Sequence, residues 1–397
     1  MAARSARTAT GDVAVLAAVA MVYSGALAMQ VLLMPLVALA SGYSKPAVGV
    51  LTAISAVAQI VIRLASAPAM RRIPDRVLVW ASGVVLALSS AILAWSAILW
   101  VFVAAELLQG AARGLFWTGA QTHVVRSRRG AMGRLAAINL VGGLGMLAGP
   151  PVAGLLADSS LTTALLASSG VALVAPVLAL RLHRSEPFEA VPGKMVRRLW
   201  DRPQLRMGCW AQVSAGSWRG IVNSYIPVVV KAAGESSLVV GSVVAVANAA
   251  SVAGSAGAGL LRDRWTRTVL VSSVVATGIG IAFSGVTAAT PVLIGLVLGV
   301  SGVGAGTLQT IGPALAATAV ESAERGDAMA VSGSFRSGAL LVAPLGAAGA
   351  LGLAPLPGVL AMAGGAIMLP ALAVRRHRRS GSRPQRGDGT GALGPTV

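Results

Sequence analysis

The sequence predicts an all-α membrane protein of twelve transmembrane helices in two pseudo-symmetric six-helix bundles. Three observations predict it. Of 397 residues, 55% are hydrophobic and only 11% charged, and the mean hydropathy is +0.78, outside the range of soluble globular domains. Apolar runs of about 20 residues, each able to cross ~30 Å of hydrocarbon as a helix, recur along almost the whole chain. The chain also repeats itself at an offset of 192 residues.

The runs fall at about 13–40, 47–70, 77–96, 98–122, 135–157, 161–182, 207–231, 236–260, 268–288, 291–319, 329–352 and 355–374. The first follows Arg4 and Arg7 and has a signal-peptide look. Its apolar stretch continues to Ala40 and has a counterpart in the second half, so it reads as an uncleaved span. The chain then divides into a cytoplasmic N-terminus (1–12), an N-terminal bundle (13–182), a cytoplasmic linker (183–206), a C-terminal bundle (207–374) and a disordered basic tail (375–397). The linker segment KMVRRLW suits an anionic lipid surface.

A formal net charge of +19 raises the question of nucleic acid, and the placement of the charges answers it. With Met1 in the cytoplasm, 26 of the 32 Lys and Arg lie at cytoplasmic ends and loops. Only Lys45 and Lys231 fall outside, while Arg63, Arg113, Arg219 and Arg336 fall within spans. This is the positive-inside bias, which puts both termini in the cytoplasm and accounts for the charge without a nucleic-acid partner. Arg outnumbers Lys 29 to 3, as in high-GC bacterial genomes, so a bacterial cytoplasmic membrane is expected. The single cysteine, Cys209, reads as a small residue in a helix.

Shifted by 192 residues, PLVALASGYSKPAVGVL (35–51) lies on PVVVKAAGESSLVVGSV (227–243). Pro35 meets Pro227, Gly42 meets Gly234, Ser44 meets Ser236 and Gly49 meets Gly241; Gly110 and Gly114 meet Gly302 and Gly306. Two charged segments, APAMRRIPDR (67–76) and GLLRDRWTR (259–267), become equivalent loops.

These features resemble the major facilitator superfamily over about residues 12–375. That family's signature between helices 2 and 3 runs G-x-L-x-D-R-x-G-R-R. Gly259, Leu261, Asp263, Arg264 and Arg267 match it in the second half, whereas the first half keeps Arg72 and Arg76 but has Arg71 for the acid and Pro74 for the glycine. Helix 5 carries GMLAGPPVAG, in which Gly145, Gly149, Pro150 and Gly154 resemble the G-x-x-x-G-P-x-x-G-G pattern of drug:proton antiporters. The resemblance implies export. Small residues at that spacing let helices approach closely, and tight packing alone is the other reading. Helix 4 carries Gln109 and Gly110 of the antiporters' R-x-x-Q-G, with Glu106 in place of the arginine.

Glu106 is the only acid of 13 deep in a span. About eight residues in, it sits ~12 Å from the boundary, near the bilayer midplane. A carboxylate there costs several kcal/mol unless paired or protonated, and intramembrane charges usually line a water-filled path. Glu106 is the expected proton-coupling residue. Arg113 follows on nearly the same face, ~10 Å away, and Arg219 is central on helix 7 with Asn223 one turn on. Arg336, Gln109, Gln30, Trp117 and Asn248, with Trp218 and Gln309, complete the candidate substrate cavity. A purely structural ion pair remains the alternative for Glu106, Arg113 and Arg219, and interhelical packing for the rest. His123, His183 and His377 fall at or beyond the cytoplasmic boundary, away from a mid-membrane relay.

The expectation is a monomeric secondary transporter, not an enzyme. It would export small amphipathic molecules in exchange for protons, with no cofactor beyond the gradient. An importer of an anionic nutrient is left open by Arg113 and Arg219. A membrane-embedded enzyme or sensor lacks a metal-ligand cluster or nucleophile–base pair in the spans. The charged loops read as a cytoplasmic gate. Asp263 faces the basic stretch with Arg134, and Arg71 faces the acidic loop of Glu321, Glu324 and Asp327; Arg72, Arg76, Gly259, Arg264 and Arg267 complete the set.

Overall fold

The structure is a computed structural model that describes residues 2–69, 72–125, 131–183, 202–259, 263–320 and 325–380. Its helices are α1 (Ala2–Ala40), α2 (Lys45–Ala69), α3 (Asp75–Trp95), α4 (Leu99–Val125), α5 (Ala131–Ser159) and α6 (Leu161–Ala179) in one half. The other holds α7 (Pro203–Ala232), α8 (Ser237–Ala258), α9 (Thr266–Ser284), α10 (Pro291–Thr318), α11 (Arg325–Ala350) and α12 (Leu356–Ser380). There is no strand among the described residues. Nine of these helices are long and apolar enough to cross a membrane. The other three are α7, α11 and α12: α7 and α11 carry central arginines, and in α12 the apolar segment among the described residues is Leu356–Ala371. Two ends differ from expectation. Helix α1 begins at Ala2, and α12 runs to Ser380 because no Pro or Gly interrupts its Arg-rich end.

The 192-residue repeat is visible in the packing. Helix α1 packs on α5, α2 on α4, α3 on α4 and α6; their counterparts α7 on α11, α8 on α10, α9 on α10 and α12 do the same. The positive-φ residues among those described are Gly42 (83°) and Gly234 (91°), at the same place in each repeat. Each ends the first helix of its half, with the next N–H donating five residues back, Tyr43 to Ala38 O (3.0 Å) and Glu235 to Val230 O (3.4 Å). Glycine supplies that left-handed conformation without strain.

The two halves meet chiefly through α5 against α8 and α2 against α11. The contacts concentrate at the end away from both termini, here called the distal end. A Cβ on Gly154 would collide with the Ser237 carbonyl, and one on Gly241 with the Pro150 carbonyl. Gly49, the repeat partner of Gly241, approaches Tyr225 and Pro344 of the other half. The largest core cluster joins Val37 and Leu51 to Tyr225, Val229 and Val240 across this interface, whereas toward the termini each half has its own clusters. Exposed Leu64, Trp100, Val177 and Val292 give the outer surface the apolar character of a lipid-facing belt.

Candidate functional site

Helix α4 places Glu106, Gln109 and Arg113 three and four residues apart, on one face. Gly110 and Gly114 let that helix press on α2, where added Cβ atoms would meet the Ser55 carbonyl and Ile62. The polar face therefore lies against Thr52 and Ser55. Together with Asn223 of α7 and Pro344 of α11 these residues line a cavity of about 20 Å³ between the halves, room for about one water.

Glu106 is buried, and neither carboxylate oxygen has a hydrogen-bond partner among the described residues. Ser55 lies beside it, yet the Ser55 hydroxyl donates to Thr52 O at 2.9 Å. Arg113 Nη2 donates to Gln109 Oε1 at 3.1 Å. In the other half, Arg219 Nη1 donates to Asn248 Oδ1, and Asn248 Nδ2 reaches Met146 O across the interface at 3.4 Å. The Arg219 guanidinium also lies over the Trp218 ring, 4.9 Å from its centroid. Arg336 Nη2 donates to Gln309 Oε1 at 2.9 Å.

The structure thus brings Glu106, Gln109, Arg113 and Asn223 to the cavity, whereas Arg219, Asn248 and Arg336 fall outside its lining. Two candidates stand elsewhere. Gln30 donates to Ser89, which donates to Ala105 O at 2.6 Å, tying α1, α3 and α4 together. Trp117 packs edge-on against Phe116 at 5.3 Å, inside the N-terminal bundle.

The helix-5 motif serves two interfaces. Gly145 and Gly149 let α5 approach the α1 backbone at Met21 and Gly25, while Pro150 and Gly154 meet α8 of the other half. Of the gate residues, Arg76 Nη1 donates to Leu182 O at 3.1 Å, Arg264 stacks on Trp265 at 5.7 Å, and Arg72 and Arg267 are exposed. Gly259 follows the last turn of α8. Arg71, Glu321 and Glu324 lie outside the described residues, as do the side chains of Arg134, Asp263 and Asp327.

Two polar sites escaped the sequence reading. Asp158, at the end of α5, accepts from the backbone N–H of Ser237 (2.7 Å) and Leu238 (3.0 Å) and so caps α8 of the other half. His123, set aside as a boundary residue, lies between buried Asp75 (Nδ1 to Oδ2, 3.3 Å) and Asp12 (Nε2 to Oδ2, 3.8 Å). The available signal was depth. Asp12 and Asp75 lie near the starts of α1 and α3 and His123 near the end of the antiparallel α4, all at the same end of the bundle.

The sequence matches the family model described as Major Facilitator Superfamily over residues 16–344 and 208–394. No curated protein matches it. Among solved structures, the nucleoside transporter NupG superposes with a TM-score of 0.75 at 11% identity, covering 92% of this chain and 99% of that one. A POT family transporter in complex with a thioalcohol-conjugated peptide gives 0.73 at 11% identity over 94% and 96%. A bacterial homolog of the human lysosomal transporter Spinster, inward-facing and unoccupied, gives 0.68 at 9% identity over 92% and 94%. At such identities the likeness is one of fold.

Proposed function

The chain belongs to the major facilitator superfamily, and from that premise we propose that it is a proton-coupled secondary transporter of small amphipathic molecules, working by alternating access. The observation that carries proton coupling is Glu106, a buried carboxyl without a hydrogen-bond partner among the described residues, on the wall of the cavity between the halves. Protonation neutralises it at one membrane face and release restores its charge at the other. Each pH unit of gradient supplies ~1.4 kcal/mol per proton.

Export in exchange for protons is supported by the helix-5 motif, whose Pro150 and Gly154 lie where the halves touch. With the positive-inside bias in a bacterial cytoplasmic membrane, the distal end is extracellular and the present conformation is closed to the outside. Import of an anion with protons is supported by Arg113 on the cavity wall and by Arg219, one turn from the lining residue Asn223. A resistance and uptake screen in a pump-deficient host, followed by flux in inside-out vesicles and whole cells, separates the two. Proton-dependent accumulation in vesicles marks export; uptake by cells marks import. No gradient-dependent flux in either direction for any screened compound contradicts the proposal.

A further inference from the structure

Four half-buried arginines lie within the spans, where Glu106 is the buried acid on the cavity wall. Arg63 on α2 and Arg113 on α4 belong to one half, Arg219 on α7 and Arg336 on α11 to the other. Ile62, next to Arg63, abuts Gly114, next to Arg113; the Arg336 backbone abuts Gly216, one turn from Arg219; and Arg113 shares the cavity wall with Asn223, one turn beyond Arg219, so the four form one cluster of like charge. Three have neutral amide partners, Gln109, Asn248 and Gln309. An amide orients a guanidinium without neutralising it, and arginine does not give up its proton. Among the described residues none of the four makes an ion pair with a carboxylate. Val31, Met34, Leu340 and Pro344 give the cavity an apolar wall.

We propose that this arginine cluster binds the acidic head of an amphipathic organic anion, and that the bound anion bridges the two halves. The proposal rests on the transporter reading and names its substrate class. The guanidinium fork fits carboxylate, phosphate or sulfonate, and a cation of the same shape is rejected by charge. Arg113 on its own helix is the charge that acts on Glu106, with Ser55 of α2 beside it; Tyr23 on α1, Arg63 on α2, Arg219 on α7 and Arg336 on α11 surround Arg113, and α3 presents Ser89 to Ala105, next to Glu106. An ionised Glu106 competes with the anion for the cluster and a protonated one does not. Proton and anion therefore bind together, which favours cotransport over exchange.

The test measures binding to the purified full-length protein by calorimetry, using 1-naphthoate and 1-naphthylmethylammonium, which share an apolar body and differ in charge. The naphthoate is expected to bind, more tightly as pH falls, and the ammonium ion not to bind. Arg219→Gln and Arg336→Gln should each weaken naphthoate binding about tenfold or more, and Arg336→Lys should recover part of the loss. Glu106→Gln should bind naphthoate with no pH dependence. Melting curves show whether each variant is folded, and the Lys variant serves if a Gln variant is not. Absence of naphthoate binding, equal binding of both ions, or a pH dependence that survives Glu106→Gln overturns the proposal. Flux in reconstituted vesicles is read separately. Naphthoate binding without flux of any screened compound contradicts the transporter reading, whereas flux of other compounds without naphthoate binding contradicts only the anion site.

Discussion

Arg113 donates to Gln109, one turn away on α4, at 3.1 Å, rather than pairing with Glu106 on the same face. The arginine is held in place, and under the proton-coupling proposal the acid keeps a carboxyl free to exchange a proton. Gln109→Met removes the acceptor and lets the guanidinium turn toward Glu106, holding it ionised. Gradient-driven transport should fall by about tenfold, a change of ~1.4 kcal/mol, in a protein that melts as the parent does. Initial rates in vesicles check this.

The distal interface is set by backbone approach. Gly241→Val drives methyl groups into the Pro150 carbonyl, and overpacking of this kind costs about 1–3 kcal/mol. The equilibrium should move toward the state open at the distal end. Spin labels at exposed Ser44 and Ser236 report it, and the only cysteine, Cys209, is buried and does not compete for label. The predicted result is a longer distance distribution than in the parent.

Asp158 joins the same interface by charge. Its two backbone hydrogen bonds stitch α5 to the N-terminus of α8, where the helix dipole favours an anion. Asp158→Ala should weaken closure by about 1–3 kcal/mol and lengthen the same distance, while Asp158→Asn should do so less.

His123 and His183 make a controlled comparison. The His123 side chain bridges Asp75 and Asp12, whereas His183 reaches Asp12 only through its backbone N–H. His123→Ala should therefore lower the melting temperature of the purified protein, and His183→Ala should leave it unchanged.

The fold was legible because its determinants are local and repeated. Apolar run length gives the spans, and Gly42 and Gly234 recur where each first helix must end. Glu106 stood out because a carboxylate deep in an apolar run is rare. Gln30 and Trp117 did not reach the cavity, since depth along a helix is readable from sequence but the face a residue presents is set by tertiary packing. Asp158 and Asp75 were passed over for a related reason. Their partners lie on other helices at matching depth, and only assembly brings them together.

The charged loops nearest the termini are proposed as gate latches of opposite polarity. Arg71→Glu should impair transport, and adding Glu324→Arg or Asp327→Arg should restore part of it. Exposed pairs contribute only ~0–1 kcal/mol each, so partial rescue is the expected size of effect. Failure of both double variants to recover any rate, with normal membrane levels, rules the latch out.

The central claim, that Glu106 couples protons to substrate movement, is tested most directly by Glu106→Gln in reconstituted vesicles, with gradient-driven flux and equilibrium exchange measured on the same preparation. A neutral amide preserves shape and removes the titrating proton. The account predicts that flux driven by a pH gradient is lost while exchange of substrate across the membrane continues at a rate near the parent's. Full gradient-driven flux in the Gln variant would contradict it.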